Sequence, residues 1–227
     1  MSIIQFNRTP LRAAGSIEDP SDEVIKNTLA LWNCDLDTAV KYGGELTRAA
    51  LGAMNLRGDR KHIIVDTKTH MLMPGFYPGI PGWHTDGVPR GPERNPAAKA
   101  DPDIFAQEEM ESEAPRFHLL VTGTVCPTMF DLTPDRKLSV PDGPDSSLYK
   151  VITEQMNSNE AGIKFETEPS TVYEWDWWQL HTAQAAKAHG WRFLIRVTET
   201  DHFEPQTDLS KIIRTQQQVY VPEAFGW

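Results

Sequence analysis

A mainly β fold with flanking helices is predicted by three features of this sequence. Stretches that alternate apolar and polar side chains recur from residue 62 onward, turn residues divide them, and helical spacing is confined to the region before residue 60. Together they point to a β-sandwich or jelly-roll barrel with N-terminal helical support. A chain of 227 residues with 39% hydrophobic content is long enough for one sizeable core, so a single domain over residues 1–227 is expected.

The elements follow in order. Ser21 is placed to cap a helix over "DEVIKNTLALWN". In "DLDTAVKYGGELTRAALGAMNLRG" the positions Leu36, Val40, Leu46, Ala50, Leu51 and Met54 recur at roughly helical spacing, ending at Gly58. From His62 the period becomes two: "HIIVDTKTHMLMP" puts Ile63, Val65, Thr67 and Met71 on one face and His62, Asp66, Lys68 and His70 on the other. Residues 89–115 are rich in proline and acid with little periodicity, which reads as a long loop or lid. Strand patterns resume at "RFHLLVTGTVCPTMFDLT", "GIKFETE", "STVYEWDWWQLH" and "WRFLIRVTET".

Composition narrows the setting. Thirty-two acidic against 22 basic residues, a formal charge of −10, oppose a nonspecific grip on a phosphate backbone. The two cysteines, Cys34 and Cys126, lie far apart and suggest neither a disulfide framework nor a zinc knuckle. With no signal-like N-terminus and no apolar run long enough for a membrane span, a soluble cytoplasmic protein is expected.

The chemistry centres on "PGWHTDGVPRG", Pro81 to Gly91. In an extended chain His84 and Asp86 project from one face while Thr85 points away, so imidazole and carboxylate can converge on one atom. Alone this is a weak signal and also fits a hydrogen-bonded loop pair. A third ligand is offered by His181, and two histidines with one carboxylate leave adjacent positions open on a bound iron. Beyond His181, Arg192, Leu194, Arg196 and Thr198 share one strand face. Arginines on an inner face need anions to receive them, because a desolvated charge is costly unless paired.

These residues resemble the Fe(II)- and 2-oxoglutarate-dependent dioxygenases, in particular the taurine dioxygenase and phytanoyl-CoA hydroxylase type. The resemblance rests on "HTD" at His84 to Asp86, the distant His181, and an arginine eleven residues beyond it, and covers roughly residues 62 to 200. It implies a double-stranded β-helix of the cupin-like kind over residues 61–203, followed by a C-terminal extension at 204–227; the lid segment at 89–115, like the short chain, departs from the taurine dioxygenase pattern. It implies Fe(II) held by His84, Asp86 and His181, with 2-oxoglutarate as cosubstrate. Arg192 would anchor the cosubstrate, with Thr128 in "PTMFD" touching it. Arg196 would hold an anionic substrate group, or be the anchor itself, since "RVT" also fits the family's RxS or RxT element. The implied reaction consumes O2 and hydroxylates a small molecule, nucleotide or nucleic-acid base, releasing succinate and CO2.

Trp83, His70 and Lys68 are candidate substrate contacts, although tryptophans are more often core or rim and the other two are also ordinary polar strand residues. Two further readings use the same residues: a non-oxidative cupin-like metal protein, and a metal-free jelly-roll binding or structural module. Dependence on 2-oxoglutarate separates the first and metal binding the second.

Overall fold

The computed structural model describes residues 1–90, 101–158, 161–214 and 218–221. The chain opens with strands, not helices: β1 (Ser2–Phe6) and β2 (Arg12–Ser16) precede α1 (Asp22–Lys26). Two short strands, β3 (Ala30–Leu31) and β4 (Cys34–Asp35), lead to α2 (Leu36–Tyr42), α3 (Gly44–Ala53) and β5 (His62–Leu72). After α4 (Ile104–Glu109) and a single 3-10 turn (Glu111–Glu113) come β6 (Arg116–Val121), β7 (Thr128–Asp131) and β8 (Arg136–Val140). Then α5 (Leu148–Ser158) is followed by β9 (Lys164–Glu166), β10 (Thr171–Asp176), β11 (His181–Ala183) and β12 (Gly190–Thr200). The last described elements are α6 (Leu209–Ile212) and β13 (Ile213–Arg214).

The protein is mainly β, organised by a six-stranded sheet in the order β2-β10-β6-β12-β5-β4, with all of these strands paired antiparallel. A three-stranded sheet, β11-β7-β9, packs against it: the Phe130 ring of β7 lies 5.2 Å from that of Trp175 on β10. Strand alternation then divides the core. Phe117, Leu119, Val121 and Trp175 point between the sheets, where they join Phe130 and Leu180. On the opposite face, Val65, Leu120, Val172, Phe193, Ile195 and Val197 pack under Ile25, Leu46, Ala50 and Leu51 of α1 and α3. The helices thus cover the outer face of the large sheet, as the apolar spacing of residues 36–54 implies.

Four expectations are corrected. The first sixty residues are not simply helical support, because β2 and β4 form the two edges of the large sheet and β1 pairs with β8. The helix capped by Ser21, whose Oγ accepts from Val24 N at 3.4 Å, stops at Lys26, since Leu31 N is drawn to Thr67 Oγ1 at 2.8 Å in β5. The helical stretch beginning at Leu36 breaks at Gly43–Gly44, where Gly44 adopts φ +82°, and ends at Ala53. The fourth correction concerns the loop reading of the 89–115 segment. Its residues 101–115 are packed rather than loose: Ile104 and Gln107 are buried, and Gln107 Nε2 donates to Trp177 O at 2.8 Å. Residues 91–100 of that segment lie outside the described residues.

One close approach fixes how the N-terminal edge strand meets the helix layer. A side chain at Gly15 in β2 would collide with the backbone carbonyl of Ala53 in α3, a group that cannot move aside as a flexible side chain can. Gly15→Ala is expected to lower the unfolding free energy by about 1–3 kcal/mol. Urea denaturation of the two proteins measures it, and equal midpoints would show that this contact relaxes without cost.

Candidate metal centre and cavity

His84 and His181 are held side by side by the backbone. Each donates its N–H to the other's carbonyl at 3.0 Å, forming one antiparallel bridge that puts both rings on the same face, 4.5 Å apart. Asp86 lies two residues along, on that face, and its Oδ2 is 3.5 Å from His181 Nε2. One donor atom from each of the three falls within 4.8 Å of the others.

Supports on both sides fix this bridge. Behind the HTD segment, Tyr149 of α5 donates its hydroxyl to Thr85 O at 3.0 Å, and Thr153 Oγ1 accepts from Trp83 N at 2.9 Å. Before His181, Leu180 N donates to Asn7 Oδ1 at 3.0 Å. Asn7, held at φ 53°, also donates to the buried Asp131, which takes two further bonds from Arg136. Asn7, just beyond β1, therefore helps place His181, although Asn7 and Leu180 are 173 residues apart in sequence.

The protonation states suit metal binding. His84 Nδ1 lies 2.9 Å from Gly82 O and His181 Nδ1 3.1 Å from Gln179 O. A carbonyl only accepts, so each Nδ1 carries the proton and each Nε2 the lone pair that a metal requires. Burial, reinforced by the neighbouring His181 ring, pushes the pKa of His84 down to about 4, and burial lowers that of His181 as well. Burial alone would raise Asp86, but Arg196 and the two imidazoles outweigh it and hold the carboxyl at about 2. Two neutral imidazoles and one carboxylate on one face form a donor set that fits a divalent first-row metal.

The triad opens into a cavity of about 900 Å³. Arg192, Leu194, Arg196 and Thr198 all line it, in keeping with their shared strand face. Register sets their neighbours: Arg192 lies opposite His70, Leu194 opposite Lys68 and Arg196 opposite Asp66. Arg192 is 1% exposed; its Nε donates to Cys126 O at 2.7 Å and its Nη1 has no hydrogen-bond partner. Burial lowers its pKa. Arg196 is differently engaged, donating to Asp86 Oδ1 at 2.8 Å and Asp66 Oδ2 at 3.2 Å, and these carboxylates raise its pKa against the effect of burial.

Thr128, His70 and Lys68 also line the cavity, as do Trp175 and Trp177. Burial, then Arg192 and Lys68, bring His70 down to about 4, with a contact to the Gln218 backbone acting in the other direction. Trp83 is the exception. It is 4% exposed in the core between the sheets and forms no part of the cavity wall. Asp66, Asn7 and Tyr149 were not singled out from the sequence. The period-two pattern of β5 already placed Asp66 beside Lys68 and His70, but nothing local marks Asn7 or Tyr149.

Comparison with protein-family models, curated proteins and solved structures gave no match. Among the described residues no helix is long and apolar enough to cross a membrane.

Calorimetric titration with Mn(II) or Co(II) is expected to give one ion per chain. His84→Ala and His181→Ala should each weaken it by more than about a hundredfold, since even changes to the partners that orient metal ligands cost 10–100-fold. Wild-type affinity in both variants would displace the site.

Proposed function

We infer that this protein is an Fe(II)- and 2-oxoglutarate-dependent dioxygenase that oxidises a small molecule, nucleotide or base, with release of succinate and CO2. The observation that carries this reading is one cavity containing both the His84, Asp86, His181 donor set and the buried Arg192 with an unpartnered Nη1. A non-oxidative metal protein gives Arg192 no task, and a metal-free module gives none to either feature. The large and small sheets meeting around the cavity support a double-stranded β-helix with the metal ligands at one end.

In this reading His84, Asp86 and His181 hold Fe(II), which supplies the activation of O2 and the oxidative decarboxylation of 2-oxoglutarate. The chain's own residues do the positioning. Arg192 receives the far carboxylate of the cosubstrate, because a buried guanidinium with an unmet donor gains most from a bidentate anion. Neutral His70 beside it and Thr128 across the cavity add hydrogen-bonding capacity. Arg196 acts through Asp86: bridging that carboxylate to Asp66, it fixes the oxygen left for the metal. The rings of Phe130, Trp175 and Tyr149, 5.4 to 6.0 Å from the two imidazoles, limit the access of water.

The test is anaerobic addition of Fe(II) and 2-oxoglutarate, with the visible metal-to-ligand band of the chelate as readout. Arg192→Leu should raise the 2-oxoglutarate needed for half-maximal band or succinate formation by at least about tenfold, the loss of one charge-assisted hydrogen bond. Arg196→Ala should leave that requirement near wild type and raise the Fe(II) requirement. The reverse pattern would make Arg196 the anchor, and no band in the wild type would remove the dioxygenase reading.

A further inference from the structure

The cavity is cationic inside an acidic protein. Its walls carry Lys68, Arg90, Arg192, Arg196 and Arg214 against only Asp66 and Asp86, an excess of three positive charges in a chain of formal charge −10. A divalent metal and a doubly charged 2-oxoglutarate cancel, so filling the site as proposed above leaves this excess unchanged. Three cations remain once Arg192 and Arg196 have their roles; Arg90 is engaged with other groups, which leaves Lys68 and Arg214 to be explained. Lys68 makes no hydrogen bond or ion pair among the described residues, though it opens onto the cavity. Lys68 is exposed to solvent at the mouth, and partial burial, Arg196 and Arg192 lower its pKa, a cationic setting that favours an anion. Arg214 is also without an ion pair among the described residues and lies over the Trp32 ring at 4.5 Å.

Topology brings these residues to one side of the mouth. Arg214 pairs with Ala30, and Ile213 with Leu31. Two residues beyond Leu31, Asn33 N donates to Asp66 Oδ1 at 2.7 Å, on the same face of β5 as Lys68. Trp32 is 41% exposed and lines the same cavity, as do Phe203 and Trp177. The entrance thus offers two uncommitted cations beside aromatic faces.

We propose that Lys68 and Arg214, with Trp32, form a second anion site at the cavity mouth, and that the substrate is a small anion with an apolar or aromatic body. The group recognised is a carboxylate, sulfonate or phosphate. The inference rests on the dioxygenase reading for the charges already balanced, but the site itself stands on residues outside the metal and Arg192 positions. Arg196, committed to Asp86 and Asp66, is replaced in this role by Lys68 and Arg214.

Benzenesulfonate, a poor metal ligand, tests the site by calorimetry, with neutral benzenesulfonamide as control. Protein loaded with Mn(II) and 2-oxoglutarate should bind one sulfonate per chain, and the sulfonamide at least about tenfold more weakly, the scale of one charge-assisted hydrogen bond. Lys68→Ala and Arg214→Ala should each weaken sulfonate binding by a similar factor and leave 2-oxoglutarate affinity unchanged. Equal binding of sulfonate and sulfonamide, unaltered affinity in both variants, or stoichiometric displacement of 2-oxoglutarate by sulfonate would each overturn the proposal. If wild-type protein takes up no 2-oxoglutarate, the dioxygenase reading fails by itself, and the same titrations on metal-free wild type and variants still decide whether the mouth binds anions.

Discussion

The pairing of β5 with β12 is the constraint on which the rest of the structure depends. Eleven residues of each strand are aligned, from Gly190 opposite Leu72 to Thr200 opposite His62. Because side chains alternate, this single register decides two environments at once. Phe193, Ile195 and Val197 enter the helix-covered core, while Arg192, Arg196 and their neighbours His70, Lys68 and Asp66 face the cavity. A slip of one residue would exchange the sets, burying guanidiniums under helices and turning phenylalanine and isoleucine toward the metal ligands. The helix layer therefore protects the chemistry indirectly, by making every other register expensive.

The electrostatics of the site follow from that geometry. Arg196 has its anions supplied by the protein, and in bridging Asp66 to Asp86 it holds the Asp86 carboxylate ionised and oriented. Arg192, four residues away on the same face and far more deeply buried, has a backbone carbonyl on its Nε and no partner on its Nη1. An unmet buried charge is costly, and the proposed cosubstrate would complete it. The histidines complement this arrangement: kept neutral by burial and oriented through Nδ1, they add no charge that would oppose a cation. Function in this account resides in what the fold leaves incomplete.

Much of this was legible in the sequence because it is local. The period of two in residues 62–72 and 190–200 places each cavity residue on its face, and HxD spacing brings two ligands together without knowledge of the fold. What failed depends on distant partners. "SIIQF" becomes a strand only through "RKLSV", and Ser2 lies opposite Val140. The helix after Ser21 was overestimated because residues 30–31 are captured by Thr67 and β13. Helix α5, with Leu148, Tyr149, Ile152 and Met156 buried, went unremarked although its apolar spacing is present, and with it the residues that brace the HTD segment. Trp83 shows the converse error: adjacency to a ligand does not place a side chain in the cavity, since neighbours in an extended segment face opposite ways.

The most direct measurement of the central claim is anomalous diffraction from crystals grown anaerobically with Mn(II) and 2-oxoglutarate. The account predicts one strong peak within about 2.3 Å of His84 Nε2, His181 Nε2 and an Asp86 oxygen, a distance typical of nitrogen and oxygen ligands to first-row ions. It further predicts cosubstrate density running from that ion to Arg192, with the far carboxylate bonded to Nη1. A peak away from the three side chains, or an ordered ion with 2-oxoglutarate absent from the Arg192 end of the cavity, would contradict it.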